Sequence, residues 1–358
     1  MIKKQRIEYL DAMRGFTMIL VVFSHILLCT FQMPEASGFS FNDIFVTFRM
    51  PLFYFLSGFL MFKPDRFKNL NGTIDFIKKK FVVQIIPTVI FSLVFCLVFA
   101  KTYGGLLNDT AKHGFWFTYT LFFYFLIYSI GDWLIGKICS GKSKLAIGIL
   151  GAVSVYALSK YSLSNACPWH GSHLYNWIGL NNLQFFLFFF FGATVKRWFN
   201  EFQAILDSKQ WMAFILSTFI VLQLILQVPS CKNAMISVSY SLYSLVKSVS
   251  GFFGITIVFA FFRKYQDAFS KKNKIGSALQ YIGTRTLDIY FLHLFLIYVN
   301  LSPVGQFFAT YHNPVLELFA GLAGALLVIG LCLVISNIIR CSDFLAKYLF
   351  GKVIPLEK

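Results

Sequence analysis

Apolar residues fill this chain in long blocks separated by short polar stretches. Ten blocks stand out, near residues 12–31, 45–62, 81–100, 115–136, 145–160, 181–198, 211–228, 236–262, 287–303 and 314–339. A helix needs about 20 apolar residues to cross hydrocarbon, and these blocks come close to that length. The pattern predicts an all-α, polytopic membrane bundle of about ten helices. It forms a single integral-membrane domain over residues 1–358, with a core at about 8–340 and a short basic tail at 341–358. No block repeats another, which weakens a transporter built from inverted repeats. The longest outer loop, 161–180, carries Trp169, Tyr175 and Trp177, residues that settle at a membrane interface.

Charge placement orients the bundle. If the N-terminus is cytoplasmic, the outer side holds Arg49, Lys101, Lys112, Lys160 and Lys232, and Lys247 falls within a block. The rest of the 32 Lys and Arg residues face inward. That asymmetry predicts both termini in the cytoplasm. Lys3, Lys4 and Arg6 precede the first block, and Asp11 and Arg14 interrupt the approach with no small-x-small cleavage site, so the N-terminus reads as a retained anchor. The net charge of +17 invites a nucleic-acid reading, but its confinement to alternate loops argues for topology and against that partner. Composition agrees: 57% of residues are hydrophobic and 13% charged, with 45 phenylalanines, whereas soluble domains carry about a quarter charged residues. The seven cysteines form no CxxC, and the pairing of Cys167 with Cys231 stays open.

Within the first block, Arg14 is followed by ten uncharged residues and then His25. Eleven helical positions return to nearly the same face over roughly 16 Å. Arg14 then sits at one boundary and His25 in the apolar interior, where ionisable groups are costly and usually functional. The same two residues also fit a snorkelling arginine and a histidine packed between helices. A neutral imidazole at that depth suits a base, and a guanidinium at the boundary suits an anionic group, because it offers bidentate hydrogen bonds. Asp11 either orients that guanidinium or is an ordinary helix-start carboxylate.

Lys78, Lys79 and Lys80 either collect donor phosphates or mark the inner end of a span. Lys247 lies mid-block, where snorkelling is hard, and so lines a cavity or pairs. His293, with Asp288 and Arg285 nearby in sequence, is a second site histidine or a packing one, and Glu317 is a weaker candidate. Arg49 and Trp116 enter from the outer side and could hold a sugar, although tryptophan also favours interfaces. Ser57, next to Gly58, permits close helix approach, with an oxyanion role as the alternative. His170 and His173 have a metal-compatible spacing but no nearby carboxylate, and no metal is expected.

Four stretches, LDAMRGFTMILVVFSH at 10–25, FRMPLFYFLSGFL at 48–60, DFIKKKFVVQIIP at 75–87 and TLDIYFLH at 286–293, supported by HGFWFTYTLFF at 113–123, occur in an order that resembles the acyltransferase-3 family. Within that family they resemble the fucose 4-O-acetylase-like and related sugar O-acetyltransferase branch. The resemblance covers residues 8 to about 340. It implies a ten-helix acyltransferase with acetyl-CoA as co-substrate, no permanently bound cofactor, and a glycan or glycolipid hydroxyl as acceptor. It places the family's essential arginine and histidine at Arg14 and His25, which implies His25 as the base of acyl transfer, with formation of an acyl-imidazole as the variant, and Arg14 as the clamp on a CoA phosphate or pantetheine carbonyl. Two departures stand out. Where members often carry Arg-x-x-Arg this chain reads Lys78 to Gln84, and Arg49 stands where branch members commonly have histidine. With no esterase-like domain in view, transfer is expected to finish within the bundle. The expected setting is the inner membrane of a bacterium, among membrane lipids, with a homodimer left open. The rival expectation is a transporter or flippase for a sugar or lipid-linked precursor, and a blander one is a family member that has lost catalysis.

Overall fold

A computed structural model describes residues 7–33, 39–99, 101–163 and 167–351. Lys3, Lys4, Arg6 and the last seven residues of the basic tail lie outside that range. The described residues contain helices and no strand, and the protein is an all-α polytopic membrane bundle. Helix α1 spans Glu8–His25 and continues through a π-helical turn, Ile26–Thr30. Next in chain order come α2 (Phe41–Met61), α3 (Leu70–Val98), α4 (Trp116–Ile138), α5 (Gly141–Tyr161), α6 (Phe186–Arg197), α7 (Lys209–Gln227) and α8 (Tyr240–Lys264). The last four are α9 (Lys274–Thr284), α10 (Thr286–Leu296), α11 (Pro314–Ile339) and α12 (Asp343–Phe350).

Eight of these, α1 to α5, α7, α8 and α11, are long and apolar enough to cross a membrane. The other two predicted blocks are built differently. Block 181–198 opens as a 3₁₀ turn at Leu180–Phe185 before α6, and block 287–303 is regular helix only to Leu296. Block two also starts earlier than residue 45: α2 begins at Phe41 and carries Pro51 in its interior. There the proline supplies no N–H to the Thr47 carbonyl. Cys167 and Cys231 are both free thiols, one buried and one exposed.

The chain clusters into two compact units, one of Met1–Leu56 with Trp198–Ser336 and one of Ser57–Arg197 with Asn337–Lys358. In the first, α1 lies directly on α9. A Cβ added at Gly15 would stand 2.0 Å from the Leu279 carbonyl oxygen, and one at Gly283 would stand 1.8 Å from that of Asp11. Reciprocal glycines at a crossing let two backbones touch, which is how apolar helices associate where lipid removes the hydrophobic drive. Further along, Phe23 fills the space beside Gly321 of α11. Gln223 of α7 donates to Thr47 of α2 at 2.9 Å and to Ser250 of α8 at 3.0 Å, tying three helices through one amide.

In the second unit the same device joins α2 to α6, where a Cβ at Gly58 would meet the Phe189 carbonyl oxygen at 1.9 Å. Around it Tyr124, Phe125 and Tyr128 of α4 set their rings edge-on to Phe189. Lys144 of α5 pairs with Asp132 of α4 at 2.7 Å, and α12 lays Phe350 on Phe91 of α3. In the loop before α4, Lys112 is buried with its ammonium 4.6 Å above the Tyr119 ring. Burial pushes that amine down to about 8 against the opposing pull of Asp109.

The glycine crossings predict a graded response to substitution. Gly15→Val or Gly283→Val forces two backbones apart and should lower the melting temperature in detergent by several degrees, the scale of about 1–3 kcal/mol of overpacking. Gly131→Ala and Gly330→Ala, which meet nothing within 4 Å, should leave it unchanged. Thermal unfolding of the four purified variants checks this.

Candidate active site

The site begins with a break in the chain. Helix α9 ends at Thr284, Arg285 adopts a non-helical conformation, and α10 restarts at Thr286. With α9 held on α1 by the glycine crossing, α10 emerges alongside α1. Two of its residues, Thr286 and His293, lie seven positions apart and therefore two turns along one face. Each meets one of the two polar residues singled out on α1.

At one end Arg14 donates to the Thr286 hydroxyl at 2.8 Å, with Asp11 3.6 Å from the guanidinium on the other side. Arg14 keeps 31% of its side-chain surface open. A cavity of about 410 Å³ opens beside this end of α1, lined by Glu8, Asp11, Lys271, Gln280 and Tyr281 among others.

At the other end His25 and His293 share a hydrogen bond, Nδ1 to Nε2, of 2.9 Å. Their rings lie within 10° of parallel with centroids 5.1 Å apart. Neutral imidazoles carry one N–H and one lone pair, and the neighbours decide which nitrogen holds which. His293 Nδ1 sits 2.9 Å from the Ile289 carbonyl, which only accepts, so that nitrogen bears the proton. Its Nε2 then presents a lone pair, and His25 Nδ1–H must be the donor toward it. What remains is the Nε2 lone pair of His25, on a half-buried ring whose partner is fully buried. The π-helical turn begins at the residue after His25, a local feature frequent at functional sites. An imidazole fixed in this tautomer can take a proton from a hydroxyl brought to Nε2, and its partner is placed to steady the cation that forms.

Asp288, close to His293 in sequence, serves elsewhere. Its carboxylate is buried, accepts from Ser336 at 2.5 Å and faces Arg285 at 3.3 Å, which links α10 to α11. Asn42 of α2 accepts from Ser24, the neighbour of His25, at 2.5 Å. Ser40 donates to Glu317 at 2.7 Å, which commits that carboxylate to a hydroxyl. Arg49 and Lys247 belong to the same unit as the histidine pair.

The remaining candidates sit in the other unit. Lys78 and Lys79 are exposed on α3, whereas Lys80 turns its ammonium to 3.9 Å above the Phe125 ring, so the three lysines do not share one environment. Gln84 is buried there too. Trp116 lies against Phe185 at 6.1 Å between ring centroids. Ser57 is half-buried beside the Gly58 crossing. His170 contacts the Ser162 carbonyl and His173 the side chain of Asn108, and no metal-holding group of His, Cys, Asp and Glu occurs among the described residues.

A family model described as an acyltransferase domain matches residues 7–337, and the chain therefore belongs to the acyltransferase-3 family. The inner membrane protein YcfT of Escherichia coli (strain K12) is 24% identical over 370 residues, covering 94% of this chain and 93% of that protein. No solved structure matches the chain. The fold and the family together make it a multi-pass membrane acyltransferase.

The histidine pair predicts energetic coupling. His25→Phe or His293→Phe each strands a polar nitrogen and should cost about 1–3 kcal/mol of stability. The double variant strands neither, so its cost should fall short of the sum by about 1 kcal/mol. A double-mutant cycle on detergent melting reads this directly, and strict additivity would mean that the rings are not bonded.

Proposed function

We propose that this chain is a membrane O-acetyltransferase. In this reading it moves the acetyl group of acetyl-CoA to a sugar hydroxyl of a cell-surface glycan or its lipid-linked precursor. The observation that carries the reading is the relay from Ile289 through His293 to His25, because it leaves one unprotonated nitrogen in an apolar setting. A transferase acting on an alcohol needs that nitrogen, whereas a helix-packing histidine does not.

In this mechanism the acceptor hydroxyl gives its proton to Nε2 of His25 as its oxygen bonds to the thioester carbonyl carbon. The resulting tetrahedral oxyanion collapses, the carbon–sulfur bond breaks, and the departing thiolate takes the proton back from the imidazolium. The products are the sugar acetate and free CoA, and the base is regenerated. His293 acts as a positioning residue that holds the tautomer and spreads the transient charge. Arg14 anchors the donor through a phosphate or the pantetheine arm, with Thr286 and Asp11 aiming its guanidinium. The polar cavity beside Asp11 is the natural mouth for the bulky end of the donor. From there the roughly 16 Å along α1 to His25 suits an extended pantetheine. The basic bias of the inner loops supports an inner-membrane setting, as does the similarity to YcfT, itself an inner membrane protein.

The test uses the purified protein in detergent with acetyl-CoA and a panel of hexose and deoxysugar glycolipids. His25→Ala should lose transfer by about 10³-fold or more while still binding donor. Arg14→Lys should raise the donor KM about tenfold or more with a smaller change in kcat. The reverse pattern would sink the assignment of roles. Wild-type protein that neither binds acetyl-CoA nor transfers acetyl, yet moves a sugar lipid across liposomes, would establish the transporter instead.

A further inference from the structure

Arg49 is the feature that the mechanism leaves unused. Helix α2 packs on α1 through Asn42, which bonds Ser24, and through Phe45, whose ring meets Phe23 at 5.7 Å. Arg49 lies one turn beyond Phe45 and two turns beyond Asn42, so it projects from that same face of α2. Two of its guanidinium nitrogens, Nε and Nη1, are buried and have no hydrogen-bond partner among the described residues. A buried polar atom of this kind calls for an explanation, since each costs about 1–3 kcal/mol, and more when charged.

A second cation stands nearby. Ser250 of α8 is fixed to the level of Thr47 by the shared amide of Gln223, and Gly254 of α8 packs on Phe48. Lys247 is one turn before Ser250. The charged groups around Lys247 are Arg49, Asp43 and Lys232. Glu317, the other carboxylate of this region, is engaged by Ser40. A guanidinium with two unmet N–H groups in an apolar interior, on the face of α2 that packs against α1, is an incomplete site for an anion. A guanidinium edge offering Nε–H and Nη1–H is the fork that takes a phosphate or carboxylate in two parallel bonds.

We propose that Arg49, backed by Lys247, is an anion subsite next to the histidine pair, and that the acceptor brings its own phosphate or carboxylate group to it. This rests on the acetyltransferase reading and sharpens it, since it excludes a neutral glycan as the preferred acceptor. It also explains why an arginine is tolerated at this depth beside a residue acting as a base. When the acceptor binds, its charge neutralises the guanidinium and removes the repulsion that would oppose proton uptake by His25.

The experiment compares three acceptors offered with acetyl-CoA to the full-length protein in detergent: a lipid-linked hexose phosphate, a lipid-linked hexuronic acid and the matching uncharged lipid-linked hexose. Wild type should favour at least one anionic acceptor in kcat/KM by roughly tenfold or more, the worth of one charged hydrogen bond. The preference should shrink toward unity in Arg49→Gln, fall partway in Lys247→Met and persist in part in Arg49→Lys. The two anionic arms tell a phosphate source from a carboxylate one. In parallel, inorganic phosphate and glucuronate should raise the melting temperature of wild type and not of Arg49→Gln, a readout that needs no turnover. Equal use of charged and uncharged acceptors, with neither anion stabilising the protein, overturns the subsite and leaves the transferase reading standing. Anion stabilisation that depends on Arg49, without transfer to any acceptor, retains the subsite and overturns the transferase reading instead.

Discussion

The contact between α1 and α9 governs the unit that carries the candidate site. Gly15 and Gly283 each face a carbonyl that a single added carbon would overlap, so the two backbones meet with no side chain between them. In a membrane this closeness does what burial does in water. Lipid tails solvate leucine as well as a protein does, and helices associate through packing and hydrogen bonds. The crossing also sets where the next helix can go. Because α9 is pinned and the chain breaks at Arg285, α10 starts beside α1, and a threonine and a histidine two turns apart come to face an arginine and a histidine three turns apart. The unequal spacings, roughly 10 Å against 16 Å, are absorbed by the length of the arginine.

The chemistry then derives from the scarcity of partners. In water a histidine exchanges protons and tautomers freely. Between α1 and α10 the two rings find one carbonyl and each other, and those options leave a single arrangement of protons for the neutral pair. In the proposed mechanism the carbonyl of Ile289 would take the place a carboxylate holds in a hydrolase triad. It orients His293 but brings no negative charge, which keeps the interior free of an ion that would need its own partner. The nearest carboxylate in sequence, Asp288, is instead locked to Ser336 and Arg285, where it fastens α10 to α11.

The membrane class, the helical character and the Arg14–His25 register were legible in the sequence because each rests on local periodicity or length. Thr286 and the pairing of His293 with His25 were not, since partners 272 and 268 residues away leave no trace in local spacing. A signal was nonetheless present. Thr286 and His293 are separated by two helical turns inside an apolar stretch, and a polar residue at each end of such a stretch marks a face as surely as Arg14 and His25 do. The start of α2 at Phe41, four residues before the apolar block, was hidden by Asn42 and Asp43, which are polar yet helical. The short α10 was hidden by the apolar residues after Leu296, which continue the hydropathy without continuing the helix.

Dryness ties the geometry to the choice of reaction. A thioester held near an activated water is lost to hydrolysis, so a transferase gains by offering its base only to the acceptor. His293 is fully buried and Ser24, beside His25, is too, while the open surface belongs to His25 itself and to Arg14 at the far end of α1. In the proposed mechanism the donor's charged end would stay in the cavity beside Asp11 while its acyl end reaches His25. On that reading an acceptor that brings a counter-charge for Arg49 would shed its water at a lower cost than a competing water molecule.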